Sequence, residues 1–183
     1  VERVVMILGG TRLKYTEKER CINAAYAILA RQPRTEKEMR DKLEKKEYSQ
    51  EVIAEVIVAL LEAALIDDVT YAVRYIINNQ KRHGAYRLKQ TLQRKGVCEA
   101  DMVIAFEMAR EEEAISEVSV ACDLLRKKIA PMAIDKALYH EDYMYRQKTK
   151  AKLMRFLAGR GFSSEITNQS LKRVLDSEFI EKR

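Results

Sequence analysis

Apolar residues recur at helical spacing through almost the whole chain. "CINAAYAILARQ", from Cys21, carries one apolar stripe and stops before Pro33. Thr35, with Glu38 three residues on, predicts a capping box that opens a second helix, ending near "KKEY". Ser49 is then placed to cap a third helix, in which Val52, Ile53, Val56, Ile57, Leu60 and Leu61 form a single stripe. "LIDD" closes this set of three, and Asp67 or Asp68 stands where a cap for the next helix belongs.

The plan then repeats. "YAVRYIINNQKRH" predicts a helix ended by Gly84, "YRLKQTLQRK" a helix ended by Gly96, and "EADMVIAFEMAREEE" the third of the set. A further set starts near Ser116 with "EVSVACDLLRKK" and continues with "KTKAKLMRFLAGRG" and "SSEITNQSLKRVL". Superposing the three sets aligns Leu43, Leu92 and Leu157, and also Lys46, Lys95 and Arg160. Tyr48, Val97 and Phe162 align as well, as do Ser49, Cys98 and Ser163, and upstream Met39, Leu88 and Leu153. The spacing is 49 positions from Leu43 to Leu92 and 65 from Leu92 to Leu157, so about 16 extra residues sit around Pro131. The fold predicted is all-α, with three tandem three-helix repeats forming an elongated array that is free to curve. Its divisions are an N-terminal segment at 1–18, repeat 1 at 19–67, repeat 2 at 68–114, repeat 3 with the insertion at 115–176, and a tail at 177–183. The chain begins at Val1 rather than Met, so the first segment is read as truncated. A three-helix unit of ~45 residues buries little by itself, which favours packing on its neighbours.

The recurring "RKG" and "GRG" have a structural role that needs no ligand. A cation in a last turn complements the helix dipole, and Gly supplies a left-handed C-cap. Glu47 takes the Gly position in the first repeat, so that turn is expected to be strained or to use another geometry. Cys98 is likewise a weaker cap than the serines at 49 and 163.

Composition narrows the function. Apolar residues make up 47% of the 183, enough for packed interiors, and Leu, Ala, Glu, Lys and Arg favour helix over strand. No apolar run approaches the roughly 18 residues of a membrane span, and "VVMIL" is too short for a signal-peptide core. Cys21, Cys98 and Cys122 have no metal-binding spacing and read as reduced thiols of a cytoplasmic protein. His83 and His140 lack partners at metal spacing, and Asp67-Asp68 reads as a cap rather than a cation site. There is no phosphate-binding GxxxxGK[ST], no HExxH and no nucleophile with a recognisable base, so neither an enzyme nor a cofactor is expected.

Net charge is +6, but its distribution is more informative. Val69 to Cys98 holds seven Lys/Arg and no acid, and Tyr143 to Ser164 holds six Lys/Arg and no acid. The rest of the chain therefore sums to −7. On a helical wheel Lys148, Lys152 and Arg155 share one side, away from Leu153, Phe156 and Leu157. Arg87 and Arg94 share the equivalent side in the second repeat, whereas the first repeat places Glu38, Asp41 and Lys45 there. Loss of acids from one face in two repeats predicts contact with a polyanion. The candidate contacts are Lys81, Arg82, Arg87, Lys89, Arg94, Lys95, Lys148, Lys150, Lys152, Arg155 and Arg160.

From "AILARQPRTEKEMRDKLEKKEYSQEVIAEVIVALLEAALIDDVTYAVRYI" through "GAYRLKQTLQRKGVCEADM" to "KAKLMRFLAGRGFSSEI", the sequence resembles the RecX family, bacterial regulators of the RecA recombinase. The resemblance covers roughly Ala24 to Val174, with departures at Glu47, where the family favours Gly, and at Pro33. It implies tandem three-helix repeats and binding to RecA filaments, limiting their growth or promoting disassembly. It also implies damping of recombination and the SOS response. Some members bind DNA directly, so single-stranded DNA, or duplex DNA, is an expected partner through its phosphates.

Two other classes fit parts of the pattern. A helix-turn-helix transcription factor would put each third helix in the major groove. Those helices carry Glu51, Glu55 and Glu62, then Glu99, Asp101 and Glu107, and only the last offers Asn168, Gln169, Lys172 and Arg173. A helical-repeat scaffold for proteins alone would leave the positive charge incidental.

Overall fold

The computed structural model describes residues 15–179; the expected N-terminal segment up to residue 14, "VVMIL" included, and the last four residues of the expected tail lie outside it. The described residues fall into two compact units, one up to Asp68 and one from Val69.

The first unit holds α1 (Glu17–Leu29), α2 (Glu36–Glu44) and α3 (Gln50–Glu62). Thr16 and Glu19 form a reciprocal capping box that starts α1. Thr35 starts α2, its hydroxyl accepting from the Glu38 N–H at 3.2 Å. The core is built from Cys21 and Ala25 of α1, Met39 and Leu43 of α2, and Ile53 and Ile57 of α3, all fully buried. Glu47, after α2, adopts φ 63. The equivalent Gly96 and Gly161 have φ 94 and 82. The turn geometry is thus shared, and the first repeat holds it with a side chain that disfavours it.

Ser49 departs from expectation. Its backbone has the N-cap conformation, but its hydroxyl makes no capping bond. Its N–H instead donates to Glu17 Oε1 at 2.7 Å, which ties the start of α3 to α1. Cys98, expected to be the weaker cap, does cap, with Sγ accepting from the Asp101 N–H at 3.3 Å.

The second unit contains α4 (Asp68–Asn79), which opens on the last residue of the first, with α5 (Ala85–Arg94), α6 (Glu99–Glu112) and α7 (Glu117–Ile129). A 3-10 turn at Ala130–Met132, α8 (Lys136–Glu141), α9 (Tyr143–Ala158) and α10 (Ser164–Phe179) follow. The extra residues around Pro131 are therefore the 3-10 turn and α8, and they pack against α7 and α9. One core gathers Ile76, Leu88, Leu92, Val97 and Met102; another gathers Leu125, Leu153, Leu157, Phe162 and Val174. The aligned positions Leu43, Leu92 and Leu157 are all at 0% exposure, so the period read from the sequence is a period of burial.

Gly84 corrects a second expectation. The helix before it ends at Asn79, and Gly84 is instead the N-cap of α5, with an ordinary φ of −75. Repeat 2 is joined to repeat 3 at this residue, whose N–H donates to the Arg160 carbonyl at 2.9 Å. The α5 start is held a second way, with the Ala85 N–H donating to Glu117 Oε1 at 2.8 Å. The same bond occurs 49 positions earlier, where the Glu36 N–H donates to Asp68 Oδ1 at 2.9 Å. In both places an acid accepts from an N–H in the first turn of a second helix, one of that helix's orphan donors. The sequence offers Asp67 or Asp68 as a cap for α4; Asp68 stands inside that helix as its first residue and accepts from the Glu36 N–H.

Candidate nucleic-acid interface

Two basic stripes meet in the second unit. On α9, Lys148, Lys152 and Arg155 recur at helical spacing on one exposed face, and one turn further on that face reaches Gly159. On α5, Arg87 and Arg94 stand two turns apart, with Gln90 between them. Arg87 Nη1 donates to the Gly159 carbonyl at 2.7 Å, so the second stripe begins where the first one ends. This bond also caps α9, because the last carbonyls of a helix have no partner within it. One nitrogen of Arg87 is used in this way, and the residue remains exposed.

A groove of about 490 Å³ lies at this join, with Tyr86, Arg87, Gln90 and Arg94 on one wall and Gly159 and Gly161 on the other. Its wall is ordered by short bonds. The Gln90 amide donates to the Tyr86 hydroxyl at 2.9 Å, the Thr91 hydroxyl donates to the Arg87 carbonyl at 2.9 Å, and Arg94 Nη2 donates to Thr91 Oγ1 at 3.3 Å. Glycine at 161 permits the close approach, since a Cβ there would stand 2.9 Å from Arg87 Cα in a backbone already at φ +82.

The other candidate cations are placed differently. Lys81 Nζ pairs with Glu113 at 2.6 Å, a bond that holds the Glu113 carboxyl below its ordinary value. Lys89 sits over the Phe106 ring at 5.5 Å and Lys95 over Tyr71 at 5.3 Å. Arg160 stacks on Phe156 at 3.8 Å. These three stabilise their own repeats by cation–π contact, worth about 0.5–2 kcal/mol each. Lys150 lies on a different side of α9, in a cleft shared with α10. Arg82 is exposed. It lies close enough to His83 that its charge, with those of Arg87 and Arg160, adds to burial in lowering the His83 pKa.

Two features escape a reading by charge alone. Tyr86 is 64% exposed at the rim of the groove, an aromatic among cations, and its signal in the sequence is only its place beside Arg87. In the first unit, Arg31, Arg34, Lys42 and Lys46 converge on a smaller cleft of about 210 Å³. Only Lys42 lies within a helix; Arg31 and Arg34 come from the connection between α1 and α2, and Lys46 from the turn after α2, so no single wheel displays them. Among the described residues, no group of three or more His, Cys, Asp or Glu is disposed to hold a metal. No described helix is long and apolar enough to cross a membrane.

Residues 21–60 match the first three-helix domain of RecX, and residues 116–171 match the third. The regulatory protein RecX of Clostridium beijerinckii is 33% identical over 156 residues, which cover 85% of this chain and 68% of that one. RecX of Neisseria meningitidis is 32% identical over 157 residues, covering 85% of this chain and 91% of that one. The crystal structure of RecX from Lactobacillus salivarius superposes with a TM-score of 0.67 at 25% identity, covering 86% of this chain and 96% of that one. The chain belongs to the RecX family of regulatory proteins.

Proposed function

We propose that this protein binds the RecA–DNA filament in the cytoplasm and limits its extension or activity, and so modulates recombination and the SOS response. It acts without catalysis and without a cofactor. Its DNA contact is to phosphate, made by the stripe that runs from Arg94 and Arg87 of α5 through Gly159 to Arg155, Lys152 and Lys148 of α9. The observation that carries this reading is the 2.7 Å bond from Arg87 to Gly159, which makes one basic track out of two. At a helical rise of about 1.5 Å per residue the two stripes together run roughly 25 Å, the length of a few nucleotides. The remaining cations near the track, Lys81, Arg82, Lys89, Lys95 and Arg160, contribute field rather than direct contact, and Lys150 lies off the track in the cleft shared with α10. Family membership supports the recombinase as the protein partner, since these relatives are regulatory proteins by name.

The test is RecA ATPase on single-stranded DNA with this protein added at substoichiometric amounts. The expected result is a fall in hydrolysis, and in strand exchange, on preformed filaments. An unchanged rate together with undetectable binding to RecA would overturn the reading.

A further inference from the structure

The insertion builds a second cleft, which the basic track does not use. It has a volume of about 520 Å³ and is walled by one face of α9, one face of α10 and the end of α8. Ligand sites for small molecules run from about 300 to 1,000 Å³, so the cleft has room for one nucleotide.

Its lining is divided by chemistry. Arg146 and Lys150, one turn apart on α9, face it together with Lys172 of α10. Against these three cations stands one carboxylate, Asp176. Lys150 and Lys172 form no ion pair with any described residue, and Arg146 is steadied by donating to the His140 carbonyl at 3.5 Å. The floor is apolar, made by Leu171, Leu175 and Met154, and the Asn168 amide lies at its edge. Tyr139 closes the α8 end, buried and stacked on Phe179 at 4.5 Å, which anchors the inserted helix to α10. Cations beside an apolar floor with an amide at its edge match a phosphate joined to a flat heterocycle.

The repeats provide an internal comparison. At the period of the chain, Lys150 corresponds to Ala85 and Glu36, and Lys172 corresponds to Glu107 and Val58. Asn168 corresponds to Val103 and Ala54. None of these groups is needed to fold a three-helix repeat, because the other two repeats fold without them. Lys150, Lys172 and Asn168 occur together only where α8 is present to close the cleft, whereas Arg146 has a cationic counterpart in Lys81.

We propose that this cleft binds a nucleoside 5′-phosphate, its phosphate held by Arg146, Lys150 and Lys172 and its base laid on Met154 and Leu171 beside Asn168. The source of that group is either a free nucleotide or the 5′-terminal nucleotide of a DNA strand. The two share their chemistry and differ in the test.

The test titrates the full chain with adenosine 5′-monophosphate, and separately with one oligonucleotide carrying either a 5′-phosphate or a 5′-hydroxyl. Inorganic phosphate is the competitor. The variants are Lys150→Gln with Lys172→Gln, and Met154→Asp at an exposed position, with Lys152→Glu on the separate basic track as control. Saturable monophosphate binding that falls about tenfold or more in the first two variants and is unchanged in Lys152→Glu establishes a free-nucleotide site. A preference for the 5′-phosphorylated strand that disappears in the same two variants establishes a strand-end site. Neither behaviour, binding that survives both cleft variants, or displacement by phosphate as effective as by the nucleotide overturns the proposal. The Lys152→Glu control separates this outcome from failure of the filament reading, which depends on the track and not on the cleft.

Discussion

Gly84 and Gly161 pack backbone against backbone, although 77 positions separate them in the chain. A Cβ on Gly84 would stand 2.7 Å from the Phe162 nitrogen and closer still to the Gly161 carbonyl. Real Cβ atoms do not approach that closely, so Gly84→Ala must push repeat 3 away from repeat 2. Overpacking of this kind costs about 1–3 kcal/mol. The same displacement breaks the Arg87–Gly159 join, so the DNA affinity proposed for the track should fall although no charge is removed. Denaturation midpoints and DNA affinity measured together check this. A variant as stable as the parent would show that the junction yields without cost.

Glu47 gives the opposite case. Its φ of 63 is the conformation that glycine provides at 96 and 161. A non-glycine residue there carries about 1–2 kcal/mol of strain, and glycine returns part of the difference through its freer unfolded chain. Glu47→Gly should therefore raise the stability of the first unit by roughly 0.5–1 kcal/mol, read as a shift in its urea midpoint. An unchanged or lower midpoint would mean that the Glu47 side chain makes up the strain elsewhere.

These two positions also mark what the sequence can disclose. Periodic burial is local information, so Met39, Leu88 and Leu153 could be matched across repeats, and all three are buried. At Glu47, where the other two repeats have glycine, the sequence leaves a strained turn and another geometry both open, and the residue adopts the strained one. Gly84 was different: it reads as a helix stop, yet its conformation is ordinary and its need for glycine comes from a partner 77 positions away. The cations sort in the same way. Lys148, Lys152 and Arg155 could be grouped on one face because a single helix sets that face. That Lys89, Lys95 and Arg160 lie over Phe106, Tyr71 and Phe156 depends on side-chain packing, for which charge pattern carries no signal.

His83 predicts a pH dependence. Its Nδ1 is buried with no hydrogen-bond partner among the described residues. Burial, and then the charges of Arg87, Arg160 and Arg82, lower its pKa from 6.5. A histidine depressed on folding binds fewer protons in the native state than in the unfolded one. Its contribution to stability is therefore intact above the unfolded pKa and is lost progressively as pH falls below about 6.5. Stability measured from pH 7.5 to 5 should decline, and His83→Gln should flatten the part of that slope which His83 supplies. An identical slope in the variant would assign the decline to other groups.

The track itself makes the sharpest demand. If four to six phosphates of a single strand are neutralised, log K against log salt should slope at about −3 to −4, with little dependence on base sequence. Arg87→Glu is an impure test, because Arg87 also holds the Gly159 carbonyl and reversal there perturbs the junction. Lys152→Glu is cleaner. Lys152 is exposed and makes no ion pair with a described residue, so its stability change should stay within about 0.5 kcal/mol. It should lower DNA affinity several-fold and make the salt slope shallower by about 0.7, the share of one phosphate contact. Glu38→Lys tests the equivalent position of the first repeat, where the acid pairs with Arg34 at 3.6 Å. It should leave affinity unchanged or raise it slightly, since the acidic slot contributes no phosphate contact. Equal losses at Glu38 and Lys152 would mean a shared protein-binding face, and no loss at Lys152 with its melt intact would mean the stripe is only solvated. Selection of one tight duplex sequence would count against a phosphate track altogether, since phosphates carry no sequence to read.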